Sequence, residues 1–249
     1  VTNLASLLER IGQLKARWDA ALPLPASLLE SLRLDWEVTQ TYNSNAIEGN
    51  TLSLAETKVI LLHGVTVSGK QINEHLEAVN HRDAMRLMMQ MSEINKPLEE
   101  TQILDLQRVV LSRIQDDDAR CDRTTRVRVT GSSRIFPNPL KVPELMAELV
   151  AKINAMVEHD EHPVLIASAA HFGLVHVHPF ADGNGRTARL LMNLILLRFG
   201  YPPALLPVER RLEYDQALEL ANEGNTTLFD QFIAQITAES LETMVAVVA

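Results

Sequence analysis

The segment Leu190-Leu191-Met192-Asn193-Leu194-Ile195-Leu196-Leu197 is apolar nearly all round, with Asn193 the one exception. A helix of that composition has no face for solvent, so it belongs at the centre of a bundle. The purely apolar run Leu194–Leu197 is far shorter than the roughly 20 residues that span a bilayer, so no membrane role is expected. The rest of the chain must supply the shell, and its 249 residues suffice for one large domain or a domain with an appendage. With 46% apolar and 22% charged residues the composition is globular, not disordered. Aromatic residues make up only 4%, which argues against an all-β sandwich and against a base-stacking platform. The net charge is −9 with no offsetting Lys/Arg run, so nucleic acid is not an expected partner. A single cysteine excludes an internal disulfide framework and suits a reducing, cytoplasmic setting. No basic-then-apolar signal follows Val1.

Helical periodicity dominates. Leu28, Leu29, Leu32 and Trp36 mark a helix that follows Pro23 and Pro25, runs to Glu48 and stops at Gly49. Ser53 and Glu56 form a capping-box pattern ahead of Val59–Leu62. Further helices are expected over Asn73–Ile94, Glu99–Ile114, Pro143–Glu158, Pro163 to about Val175, Val208–Asn222 and Leu228–Thr243. The stretch up to about Pro25 reads as a separate helix. Arg126-Val127-Arg128-Val129 alternates with period two, Gly131-Ser132-Ser133 can turn, and Arg134-Ile135-Phe136 returns. That is the one β-hairpin expected, closed by Pro137 and Pro139. The chain divides into N-terminal helices over 1–65 and a core over 66–249.

Chemistry concentrates in His178-Pro179-Phe180-Ala181-Asp182-Gly183-Asn184-Gly185-Arg186-Thr187-Ala188-Arg189, a loop feeding the apolar helix. Gly183 and Gly185 let backbone N–H groups converge on an anion, and the helix N-terminus adds positive potential. Arg186 and Arg189, at i and i+3, reach the same side and can grip phosphate oxygens bidentately. Asp182 offers an oxygen ligand where a phosphate-bound Mg²⁺ would sit. His178 is the only group in the loop able to take a proton near neutral pH. Together they read as a site for phosphoryl-type transfer from a nucleotide to a protonated nucleophile. Read singly, each has a plainer role: a satisfied histidine, an N-cap aspartate, turn glycines, surface arginines.

This stretch resembles the signature of the Fic family, HxFx(D/E)GNGRxxR, and every defined position matches. The likeness extends over about residues 35–240. Glu77, Asn80 and His81 resemble the family's helix before the core, and the hairpin resembles its flap. Arg211, Tyr214, Ala217, Leu218, Ala221 and Asn222 resemble its C-terminal part. The resemblance implies an all-α, Fic-fold helical bundle with one β-hairpin flap. It implies transfer of AMP from ATP to a Ser, Thr or Tyr hydroxyl of a target protein, self-modification included. It makes His178 the base and Asp182 the Mg²⁺ ligand. Gly183, Asn184, Gly185 and Arg186 become phosphate-binding residues, and Arg189 the holder of the γ-phosphate. In the flap, Val127, Val129, Gly131 and Ile135 become target-docking residues, by strand addition.

Ser44-Asn45-Ala46-Ile47-Glu48-Gly49-Asn50 is similar to the family's inhibitory motif, (S/T)xxxE(G/N), in the class whose inhibitory helix precedes the core. Ser44, Glu48 and Gly49 carry that likeness. A glutamate in the last turn of a helix faces the negative end of the macrodipole and needs a cation; the implied partner is Arg189. Against this stands the plain helix-end glutamate.

Two other patterns are set aside. His171, His176 and His178 lack the HExxH spacing of a zinc site. Gly64–Lys70 imitates the start of a P-loop, but it follows a helix, and Gln71 stands where Ser or Thr must hold Mg²⁺. A Doc-like kinase is disfavoured because Gly185 stands near where those enzymes carry a Lys. Two rival functions remain: a hydrolase that removes AMP from modified proteins using Glu48, and a non-catalytic nucleotide-sensing module. The target, the nucleotide base and the oligomeric state stay open, a homodimer included.

Overall fold

The computed structural model describes residues 3–93, 96–127 and 135–248. Among them are ten α-helices and no strand: α1 Leu4–Ala20, α2 Ala26–Ile47, α3 Leu54–His63, α4 Ile72–Ser92 and α5 Glu100–Leu111. They continue with α6 Val142–Glu158, α7 Pro163–Val177, α8 Asn184–Arg198, α9 Arg211–Asn222 and α10 Thr227–Val248. The expected all-α bundle is the observed architecture.

The apolar segment forms the axis. Every residue of α8 from Arg186 to Leu196 is buried, and α7, α4, α5 and α2 surround it. Its polar exception, Asn193, has a structural use. The amide Nδ2 donates to the Ala204 carbonyl at 3.2 Å, and Oδ1 accepts from the Ala204 N–H at 2.8 Å. From α2, Gln40 Nε2 donates to that same carbonyl at 3.0 Å, and Asn43 accepts from the Val208 N–H at 2.8 Å. Buried Glu37 of α2 accepts two hydrogen bonds from Arg86 of α4, both at 2.7 Å. These buried polar ties fix α2 against the core, and so fix where its C-terminus ends.

Helix ends follow local chemistry. Ser53 and Glu56 form the expected capping box, and Gly49, just past α2, takes the left-handed conformation at φ 100°. The segment 64–71 is the helix-to-helix loop expected, not a phosphate loop. Some helices are shorter than their patterns: α9 begins at Arg211 after a 3-10 turn over Val208–Arg210, and α5 stops at Leu111 rather than Ile114. Asn80 of α4 takes the Val110 and Ser112 carbonyls at 3.2 and 2.6 Å, capping that end from another element. The hairpin expected over 126–136 differs as well. Arg126, Val127, Ile135 and Phe136 run without strand structure, and Val129, Gly131 and the turn lie outside the described residues. No helix among the described residues is long and apolar enough to cross a membrane.

Candidate active site

The motif loop joins the end of α7 to the start of α8. His178 caps α7 in the left-handed conformation, φ 52° and ψ 58°, and its N–H donates to the Leu174 carbonyl at 2.8 Å. Phe180 is buried, and Asn184 secures the loop across it. The Asn184 Oδ1 accepts from the Phe180 N–H and Nδ2 donates to the Phe180 carbonyl, both at 2.9 Å. The Asn184 side chain is thereby engaged within the loop. Gly183 opens α8 at φ 79°, where a side chain would be strained.

These elements surround a cavity of about 290 Å³ lined by Glu48, Val127, His178, Ala181, Asp182, Asn184 and Gly185. Larger hollows of about 590 and 500 Å³ lie between α1, α9 and α10 and beside the C-terminal end of α8, and neither holds a motif residue. The smaller cavity holds the titratable and anion-binding groups, so it is the candidate site.

Both motif arginines are buried and both meet carboxylates. Arg186 pairs with Asp182 at 3.0 Å and with Glu77 of α4 at 3.3 Å. Its buried Nε donates to nothing among the described residues, which leaves capacity for an anion. Arg189 donates from Nε to the Ser44 hydroxyl and from Nη2 to the Ser44 carbonyl, each at 2.9 Å. It also pairs with Glu48 Oε1 at 2.7 Å. The Glu48 carboxylate lies over the first turn of α8, where a Cβ on Gly185 would run into Oε1. It therefore sits where a helix N-terminus offers N–H groups and positive potential to an anion.

The electrostatics agree. Burial would raise the Glu48 carboxyl, but the charge and hydrogen bond of Arg189, with the charges of Arg186 and Arg211, hold it below the ordinary glutamate range. Burial, helped by Arg189, drives His171 and His81 down to about 3, so both are neutral beneath the arginines. Among the described residues Glu48 is the only ion-pair partner of Arg189.

Sequence reading placed His178, Asp182, Gly185, Arg186, Arg189, Ser44 and Glu48, and the structure brings them together. Val127 lines the cavity, while Ile135 is largely exposed. Missed was Arg123, which reaches the carbonyl of His178 at 2.7 Å. The role of Glu77 as an ion partner of Arg186 was also missed.

The Fic/DOC family model matches residues 97–196, which include the motif. Fic-1 from C. elegans superposes with a TM-score of 0.86 at 34% identity, over 98% of this chain and 73% of that one. The chain belongs to the Fic/DOC family. A Fic-domain signalling protein from Bacteroides thetaiotaomicron superposes with a TM-score of 0.87 at 27% identity, covering 96% of this chain and 97% of that one. A protein adenylyltransferase Fic from Drosophila grimshawi is 41% identical over 203 residues, 81% of this chain and 41% of that protein. The chain thus spans under half the length of the curated relatives it matches. The Fic signature is the stretch His178–Arg189, around which the cavity is built.

Proposed function

We propose that this Fic protein is an adenylyltransferase that moves AMP from ATP to a Ser, Thr or Tyr hydroxyl of a target protein, and that Glu48 restrains it. One observation carries the reading: the Glu48 carboxylate, on Arg189 at 2.7 Å and against Gly185, occupies an anion position in the cavity that holds His178. A place that accepts a carboxylate between a helix N-terminus and a buried arginine suits a phosphate. The names of the curated relatives support the reaction class.

In the reaction, the target hydroxyl oxygen attacks the α-phosphorus of ATP as the His178 imidazole takes its proton. The new O–P bond forms while the bond to the bridging oxygen of the β-phosphate breaks, and pyrophosphate leaves. The N–H groups at the start of α8 and the Arg186 guanidinium stabilise the charge that develops. Arg189 seats the γ-phosphate once Glu48 has withdrawn. Self-modification follows the same course.

The donor set also suits Mg²⁺. Asp182 is a half-exposed carboxylate on the cavity wall, with one oxygen accepting from the Gly183 N–H at 2.6 Å and the other paired to Arg186. A single protein carboxylate fits a cation otherwise held by phosphate oxygens and water. When bound, such an ion neutralises phosphate charge.

Glu48 and His178 share the cavity, so a second reading is removal of AMP, with Glu48 orienting a water. Incubating wild type and Glu48→Gly with α-labelled ATP and a cell lysate, with and without chelator, tests both. Strong metal-dependent labelling by Glu48→Gly supports transfer; no labelling by either protein overturns it. Release of AMP from a labelled target by wild type but not by Glu48→Gly favours removal.

A further inference from the structure

Arg123 is 4% exposed, and among the described residues no carboxylate pairs with it. Its guanidinium is spent on three backbone carbonyls instead. Nε donates to His178 at 2.7 Å, Nη1 to Thr125 at 3.0 Å and Nη2 to Pro137 at 2.7 Å. Its own N–H donates to the Pro179 carbonyl at 2.7 Å. The other buried arginines of the site, Arg186 and Arg189, are compensated by carboxylates. A buried cation without such a partner is costly, and burial holds the Arg123 guanidinium below its ordinary range, opposed by the charge of Asp122.

The three acceptors are informative. Thr125 and Pro137 flank the 126–136 segment that the Fic resemblance makes the target-docking flap. His178 belongs to the reacting loop and holds a left-handed conformation that a non-glycine residue adopts only when its surroundings enforce it. Next to Pro137, the Phe136 ring lies 4.2 Å from the His178 ring.

We propose that Arg123 is a positioning residue that fastens Thr125 and Pro137, on either side of the 126–136 flap, to the His178 backbone, so that target docking and aim of the base are set together. The planar guanidinium can hold three carbonyls in fixed directions, which the single ammonium of lysine cannot. The inference rests on the transfer reading above.

The test uses Arg123→Ala and Arg123→Lys, each in the Glu48→Gly background. ATP affinity, the rate of labelling and amide hydrogen exchange are measured for both and for the Glu48→Gly parent. Arg123 touches no group assigned to phosphate, so ATP affinity should stay within about threefold for both variants. Labelling should fall by roughly thirtyfold or more in Arg123→Ala, the scale of a misplaced reacting group. Arg123→Lys should recover only a minor part of that loss. Exchange should rise together in the 123–127, 135–138 and 178–183 segments while α8 and α10 stay protected.

Labelling near the parent rate, full rescue by lysine, or ATP affinity falling in step with labelling would overturn the proposal. So would exchange that rises in only one of the two regions. Should Arg123→Ala not fold, Arg123→Lys carries the same comparison. If the Glu48→Gly parent labels nothing, the transfer reading fails by itself, while the exchange pattern still decides whether Arg123 joins the two regions.

Discussion

One wall of the cavity is made where the chain folds back on itself between α7 and α8, and the opposite wall is one carboxylate brought by α2. On the first side, Asn184 holds the loop across Phe180, Asp182 meets Arg186 one turn away, and Arg123 holds the His178 carbonyl. Several hydrogen bonds define it, those of Asn184 fully buried. On the second side, Glu48 reaches Arg189 across 141 positions of sequence through one side chain that is 39% exposed. The reacting wall is tied at several points, whereas the opposing carboxylate hangs on a single ion pair at the end of α2. In the proposed function this separates chemistry from restraint.

Breaking the first wall should have the largest effect. His178→Ala should lower AMP transfer by ~10²–10⁴-fold, because the target hydroxyl then keeps its proton. ATP binding should persist. Labelling measured beside calorimetric ATP titration checks both, and transfer within about threefold of the parent would contradict the assignment. Asp182→Ala comes next. It should behave as chelator does, with transfer lost by roughly tenfold or more and little further loss when chelator is added. Full activity in chelator would remove Mg²⁺ from the account.

The second wall should respond to pH in a way that sharpens the contrast. The Glu48 carboxyl is held below its ordinary range by Arg189, so its contribution is present above the usual glutamate value of about 4.3. That contribution is lost only as pH falls through the lowered folded value. The ratio of Glu48→Gly to wild-type labelling should therefore be flat between about pH 6 and 8. A ratio that falls toward unity at pH 6 would mean that Glu48 is not held ionised by Arg189.

How much of this was legible in the sequence depended on whether the cause was local. The capping box at Ser53 and Glu56, the stop at Gly49 and the burial of the helix after Asn184 are written in neighbouring residues, and all are observed. The Glu48–Arg189 pair was legible because a helix-end glutamate needs a cation and the motif resemblance named one. Long-range causes were not legible. Helix α5 ends three residues early because Asn80, on another helix, caps it. Arg123 has no periodic or motif context, and its three acceptors are backbone carbonyls, which leave no trace in side-chain identity. The motif resemblance assigns Asn184 to phosphate but does not spell out the engagement of its side-chain amide by the loop's own backbone.

In the proposed function Glu48 restrains transfer by holding Arg189. Four labelling rates test it, taken at one ATP concentration with one target: wild type, Glu48→Gly, Arg189→Ala and the double variant. The account predicts a gain of about tenfold or more for Glu48→Gly and return toward the resting rate when Arg189→Ala is added, a strongly non-additive cycle. Equal rates for wild type and Glu48→Gly, or the same effect of Arg189→Ala in both backgrounds, would contradict it.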